Sequence, residues 1–467
     1  MGKPWDFWYI RWKTLTWKGP ISLMVSRNLW FILVAFLCLS IIALLNSVQH
    51  SETGVRSADN PANNVKSPAG EKEISRQEKL LRIAVPVSLS EIRTFRQGLD
   101  LYEANHPGVR FELETVPEQE AYAKFKKSSM LGEAPDIMLL RNDWVSEFAA
   151  LGYLLPIDEY FTAEQQLVQM DSMLGQNKWN SYLWGVPKDV DPYVLVYNRA
   201  RMAEWNANSL PVNSDELLAA HRKLSKLEDG LYGLVLPAQD SLAFLSFLRA
   251  SEGQTDDFSK TKRFSWNQPL HRQMVEAFYP SAVEGKTDSR KREGAVQPVD
   301  WTKLKKGQWA MSIAPLSKVR AELGGGELGW IKLPALDKGK GRGGYLLGRS
   351  YVISARSLHV KEAYDWIREA TGIESAIRQW NAGGPAPAQI AAIRTSKLQT
   401  DRLFLEVLQP IDQGISFPGD PELPRRLTAV ETGIEAWRKG AITTASFLEQ
   451  AEKAWSASRH RVTERFD

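Results

Sequence analysis

Two kinds of patterning divide the chain. Leu29 to Leu45, LWFILVAFLCLSIIALL, is apolar and uncharged, whereas Asn46 to Lys79 is Ser, Asn, Pro, Gly and mixed charge. As a helix the apolar run covers roughly 26 Å, and Val25 and Val48 extend it toward the ~30 Å of a hydrocarbon core. A transmembrane helix over 29–48 is expected, followed by a flexible tether over 49–79 that buries too little to fold. From residue 80 the pattern changes to short alternating blocks. LLRIAVPV (Leu80–Val87) is β-leaning, and Ile92, Phe95, Leu99 and Tyr102 recur at helical spacing up to Pro107-Gly108. VRFELETV alternates at period two, EAYAKFKKSSMLG reads as helix, and DIMLL as a buried strand. This β-α-β-α-β rhythm predicts an α/β lobe with a largely parallel sheet.

A further buried strand is predicted over Tyr193-Val194-Leu195-Val196-Tyr197. It is entered from YLWGVPKDVDP, which concentrates Trp184, Asp189 and Asp191 beside Tyr193. In parallel sheets ligands sit beyond the carboxyl ends of the strands. That draws attention to Ser88-Leu89-Ser90, Arg141-Asn142-Asp143-Trp144 and Asp189-Val190-Asp191. Two nearby carboxylates suit acid and base chemistry, and they equally suit a binding cleft at a domain crossing.

Composition narrows the choice. A chain of 467 residues exceeds one compact core, so two lobes are expected. The net charge of +4 resides before residue 29, in Lys3, Arg11, Lys13, Lys18 and Arg27 against Asp6, and the remainder is neutral. A nucleic-acid partner, which needs a basic face, is therefore not expected. Cys38 is the single cysteine, so no intramolecular disulfide forms, and the six scattered histidines show no metal spacing. No cofactor is expected. Basic residues before the apolar run place residues 1–28 in the cytoplasm as a basic, aromatic tail. The protein is then single-pass in the cell membrane, with its C-terminal body extracellular. A secretory signal is the alternative, but no small-x-small cleavage site follows, and Leu37 is not the small residue a lipoprotein signal places before its cysteine.

From about residue 80 to 460 an ordered series of segments resembles the family 1 extracellular solute-binding proteins, the maltodextrin-binding-like receptors of bacterial ABC importers. The series runs NHPGVRFELETV, GEAPDIMLL, WVSEFAALGYLLPIDEY, YLWGVPKDVDPYVLVYN, LKKGQWAMSIAP, GWIKLPALDKGKGRGGYLLGRSYVIS and VKEAYDWI. The resemblance implies a two-lobed, type II periplasmic-binding-protein fold, the "Venus flytrap", behind the N-terminal transmembrane helix. Carried onto this chain, the first lobe is 80–190 with 308–346, and the second is 191–307 with 347–467. Residues 182–198 then resemble the first crossing between lobes, and a monomer is expected.

The resemblance also implies cleft residues. Aromatic faces pack on the C–H faces of sugars, and carboxylates accept from their hydroxyls. Asp143 and Asp191 match family acids; otherwise they are a helix cap and a turn former before Pro192. Trp144 follows Asp143, and Trp184, Asp189 and Tyr193 lie at the crossing, where the aromatics could equally be core. Gly344 and Tyr345 match a glycine-containing cleft edge, or a plain strand entry. Trp380 is a further candidate. Two departures stand out: Pro315 and Ser317 occupy positions where the family often has Gly and Trp, and LPRRLTAVE replaces a sugar-stacking aromatic. Arg425 and Arg426 there could meet a carboxylate or sulfate, or begin a surface helix. The function implied is delivery of an oligosaccharide or other small solute to ABC permease subunits by lobe closure, without catalysis. An anchored carbohydrate sensor for a signalling partner is the alternative, and a glycosidase using Asp143, Asp189 or Asp191 a minor one.

Overall fold

The computed structural model describes residues 78–226, 231–251, 265–278, 296–297, 299–334 and 343–456. The expected tail, anchor and tether up to residue 77 lie outside the described residues. Among those described, no helix is long and apolar enough to cross a membrane.

The alternating blocks after residue 78 form the first lobe. Strands β1 (Lys79–Val85), β2 (Val109–Thr115) and β3 (Ile137–Arg141) run parallel in the order β2-β1-β3. Helices α1 (Leu89–Asn105) and α2 (Glu118–Leu131) connect them, and α3 (Asn142–Ala150) follows β3. At the start of α1 the Glu91 carboxylate accepts from the Ser88 N–H at 3.0 Å, a capping-box contact. Gly132, at φ 74°, closes α2 in the left-handed conformation that glycine adopts without strain. Side chains alternate across the strands, so Leu81, Ile83 and Val85 pack on Leu99 and Tyr102 of α1. Ala84, Met138 and Leu140 face the other way, toward Phe125 of α2 and Phe148 of α3. Both faces of the sheet are covered, as a parallel sheet requires.

A short hairpin, β4 (Lys178–Trp179) with β5 (Tyr182–Leu183), leads into β6 (Val186–Asn198), which is buried along its whole length. Downstream lie β7 (Tyr232–Pro237), α4 (Ser241–Ser251), β8 (Val296–Gln297), α5 (Trp301–Lys305), β9 (Trp309–Pro315) and α6 (Leu316–Glu322). Then come β10 (Leu328–Ile331), β11 (Leu346–Ile353), α7 (Val360–Ala370), β12 (Ala386–Pro387) and α8 (Leu423–Arg438). Strand β6 serves both lobes. Its first half pairs with β11, which itself pairs with β3, and with β12 on the opposite edge. Its second half pairs with β9 and β10, and β9 continues to β7 and β8.

The register shows where the later segments attach. Met311–Pro315 and Leu328–Ile331 pair with the second half of β6. Strand β11 fills the gap between β3 and β6, and α7 follows it, with Trp366 and Ile367 packed on the first sheet. Val430, Ile434 and Trp437 of α8 enter the core built on Leu195, Leu234 and Met311.

Candidate functional site

The loops after β1, β2 and β3 converge on those after β7 and β9. Two adjoining cavities lie between them, of about 520 and about 600 Å3. Glu118, Gln119, Arg141, Trp144, Pro315, Lys318 and Leu347 line both, so they form one cleft with two compartments. A Lys318–Glu118 ion pair of 2.9 Å joins α6 of the second lobe to α2 of the first at their shared wall. The cleft sits where strand-end geometry places ligand sites.

The first compartment is bordered by a buried charge network. Asp189, in the first half of β6, accepts from Lys188 Nζ at 2.6 Å and from an Arg349 guanidinium nitrogen at 2.6 Å. Arg349, on β11, also donates to Glu91 at 2.7 Å and to the Pro86 carbonyl at 3.3 Å. Burial resists the Glu91 charge, but the Arg349 and Lys188 cations outweigh it and hold its pKa down at about 2. The same two cations hold Asp189 below the usual carboxylate range against its burial. Burial pushes Lys188 down despite Asp189. Asp191, two residues on and across the cleft edge, accepts from the Ser317 N–H at 2.8 Å and its hydroxyl at 2.5 Å, at the first turn of α6. Burial outweighs those bonds and raises its pKa to about 6.

In the second compartment Asp143 is gripped by Arg141 through two bonds, 2.9 and 2.8 Å, and the guanidinium lies 5.2 Å from the Trp144 ring centre. Burial opposes the Arg141 charge, yet Asp143 lifts its pKa above the ordinary value. Trp144 packs edge-on against Tyr122 and presents its remaining surface to both compartments. Tyr193 donates its hydroxyl to Asp240 at 2.9 Å. Asp240 also caps α4 by accepting from the Ala243 N–H at 3.0 Å. Glu431 on α8 accepts from the Ser241 hydroxyl at 2.9 Å, and Trp301 of α5 lines the same space.

The structure thus brings Asp143, Trp144, Asp189, Asp191 and Tyr193 together on one cleft. It places the other candidates elsewhere. Trp184 donates to the Trp179 carbonyl at 2.9 Å and packs between Trp179 and Tyr182, outside both compartments. Gly344 and Tyr345 lie against β6: Tyr193 N–H donates to the Tyr345 carbonyl at 2.9 Å. A Cβ on Gly344 would stand 2.3 Å from the Tyr193 carbonyl oxygen, so this glycine serves contact between the two crossing strands. Trp380 is buried under the Arg320 guanidinium, 3.4 Å from its ring centre, and donates to Asp401. Arg425 is exposed and pairs with Glu422, while Arg426 pairs with Asp420; from that segment Pro424, Leu427, Thr428 and Glu431 line the cleft.

Glu91, Arg349, Lys318, Asp240 and Trp301 were missed in the sequence. Asp240 had a usable signal, since it follows a β-branched, apolar strand, YGLVLP, just as Asp143 follows DIMLL. The others are recognisable only once distant segments meet.

Comparison with known proteins agrees with this architecture. The family model for the bacterial extracellular solute-binding proteins matches residues 88–377. A maltotriose-binding protein of Pyrococcus abyssi is 26% identical over 150 residues, covering 32% of this chain and 31% of the relative. A putative binding protein of Brucella abortus is 23% identical over 146 residues, 31% of this chain and 36% of its own. The chain therefore spans about a third of the length of these curated relatives. Among solved structures, an ABC transporter solute-binding protein of Thermotoga lettingae bound with alpha-D-tagatose superposes with a TM-score of 0.68. It is 21% identical, and the match covers 80% of this chain and 98% of that one. The maltose/maltodextrin-binding domain of Bdellovibrio bacteriovorus bound to maltotriose gives 0.65 at 16% identity, covering 81% and 99%. At these identities the structures establish the shared fold.

Proposed function

Because the chain belongs to the bacterial extracellular solute-binding proteins, we propose that it captures a carbohydrate in the cleft between its lobes and delivers it to an ABC permease. The segment 29–48 tethers it to the cell membrane, with residues 78–456 outside. The observation that carries this reading is the cleft itself, with two cavities in the ~300–1,000 Å3 range of small-molecule sites. Their walls combine apolar Trp144 surface with the carboxylates of Asp143 and Asp191 from opposite sides of the lobe crossing. An aromatic face and acceptor oxygens are the complement of a sugar ring, apolar on its faces and rimmed with hydroxyl donors. Sugars named for relatives, tagatose and maltotriose, support the solute class.

The shared cleft supports a closing mechanism. A solute that touches residues of both lobes is bound more tightly when they approach, so it shifts the population to the closed form. The permease would read that form. Nothing in this cycle breaks a covalent bond. Asp189 is neutralised by Lys188 and Arg349, which suits a positioning role rather than attack on a glycosidic carbon.

A thermal-shift screen of the protein against mono- and oligosaccharides tests the reading. A saccharide that binds only the folded chain stabilises it by about 2.7 kcal/mol at a hundredfold excess over its Kd. At least one member should raise the melting temperature and be recovered intact by chromatography. A panel with no stabilising member, or a hydrolysed one, overturns it.

A further inference from the structure

The two compartments of the cleft differ in how their charges are matched. In the second, Glu118 is neutralised by Lys318 and Asp143 by the two bonds from Arg141. Asp240 and Glu431 are not matched in this way. Asp240 accepts from the Tyr193 hydroxyl and the Ala243 N–H, and Glu431 from the Ser241 hydroxyl and N–H, all neutral donors. Among the described residues neither enters an ion pair. Both are half-buried in the wall of the same cavity of about 600 Å3, one at the start of α4 and the other on α8. Tyr122, Trp144 and Trp301 give the same cavity aromatic surface.

We infer that the second compartment takes a sugar ring carrying a protonated amine, so that the solute is an amino sugar or an oligosaccharide with an amino-sugar unit. The inference rests on the reading of the cleft as a saccharide site and adds the chemistry of one subsite. A neutral hydroxyl could donate one bond to either carboxylate, but it would leave the negative charges uncompensated away from bulk water, where they are costly. An ammonium supplies three donors and the opposite charge at once. Aromatic faces add a cation–π contribution for the same group and hold the apolar face of the ring that carries it. Burial pushes the carboxyls of Asp240 and Glu431 above the ordinary range against the opposing charge of Arg141, and for Glu431 the neighbouring Asp240 adds to the effect.

In the first compartment Asp189 and Glu91 share Arg349 and Lys188, so four charges cancel within the wall. Asp191 is the one carboxyl there held by neutral donors alone, from Ser317. The amino-bearing ring belongs at the Asp240 end of the cleft, where two such carboxyls, Asp240 and Glu431, line one cavity.

Isothermal titration at pH 7 with matched pairs tests this: glucose against glucosamine, galactose against galactosamine, and cellotriose against the β-1,4-linked glucosamine trimer. The amino member of at least one pair should bind tenfold or more tightly than its neutral partner. N-acetylation of the amine should remove the advantage. The Asp240→Asn, Glu431→Gln double variant keeps the acceptor oxygens for Tyr193, Ala243 and Ser241. It should retain its unliganded melting temperature and lose the preference, so that the amino and neutral members of the pair bind within threefold of each other. Neutral members that bind as tightly as the amino members would overturn the inference and leave saccharide binding standing. An amine preference that survives in the folded double variant would overturn the assignment to this compartment. Failure of every member of every pair would remove the underlying reading as well.

Discussion

Asp191 shows how one side chain can be flagged correctly in a sequence and still have an unforeseen partner. Its place beside the crossing strand marked it as a cleft acid, but Ser317, which supplies both of its hydrogen bonds, is 126 residues away. Nothing in local pattern links the two. With the pKa raised by burial to about 6, the folded chain holds this proton more firmly than the unfolded chain does. The stability it contributes is present below about pH 4 and lost as pH rises through 6, which amounts to roughly 3 kcal/mol for a shift of this size. Asp191→Asn keeps the acceptor oxygen and cannot titrate. Urea denaturation of both proteins between pH 4.5 and 7.5 should show the variant gaining about 2 kcal/mol relative to the wild type as pH rises. A difference independent of pH would mean that the carboxyl is not perturbed. Asp240 teaches the complementary lesson: the rule that found Asp143 after one strand would have found it after another, had YGLVLP been read as a strand.

Among the elements, β11 is the joint on which the cleft depends. Arg349 in its middle ties β11 to Asp189 of β6, to Glu91 of α1 and to the Pro86 carbonyl after β1. Replacing it with Leu leaves Glu91 without its cation and Asp189 with Lys188 alone. Removing one partner of a buried ionic network costs about 3–5 kcal/mol, and chemical denaturation of Arg349→Leu should show a loss of that order. A loss below 1 kcal/mol would mean that solvent already screens the network. The individual elements were largely legible: Ile92, Phe95, Leu99 and Tyr102 announced α1, and the apolar run at Tyr193–Tyr197 announced β6. Their pairing partners were not. Strands β9 and β11 are both short and apolar, and only hydrogen-bond register decides that Ile313 faces Leu195 while Tyr351 faces Leu139. Order along the chain carries no such information when a fold inserts a late strand between two early ones.

At the scale of the molecule, the two lobes share β6 and are further joined by the Lys318–Glu118 pair across the cleft wall. That pair is half-exposed and contributes little by itself, so under the proposed closure a bound solute would supply the difference between open and closed forms. Small-angle scattering with a saturating saccharide should give a smaller radius of gyration than without it. An unchanged profile at saturation would identify a rigid scaffold. The insertion of β11 between β3 and β6 has a consequence for biosynthesis. A chain that has emerged only as far as β10 holds β1, β2, β3 and β6, but the strand that hydrogen-bonds β3 to β6 has not yet been made. The pairings of β6 with β9 and β10 do not wait for it, but β3 and β6 cannot be joined until β11 is made, and the long sequence separation of that pairing makes the joining slow. The two lobes of such a chain are joined only once its last quarter, which begins with β11, is available.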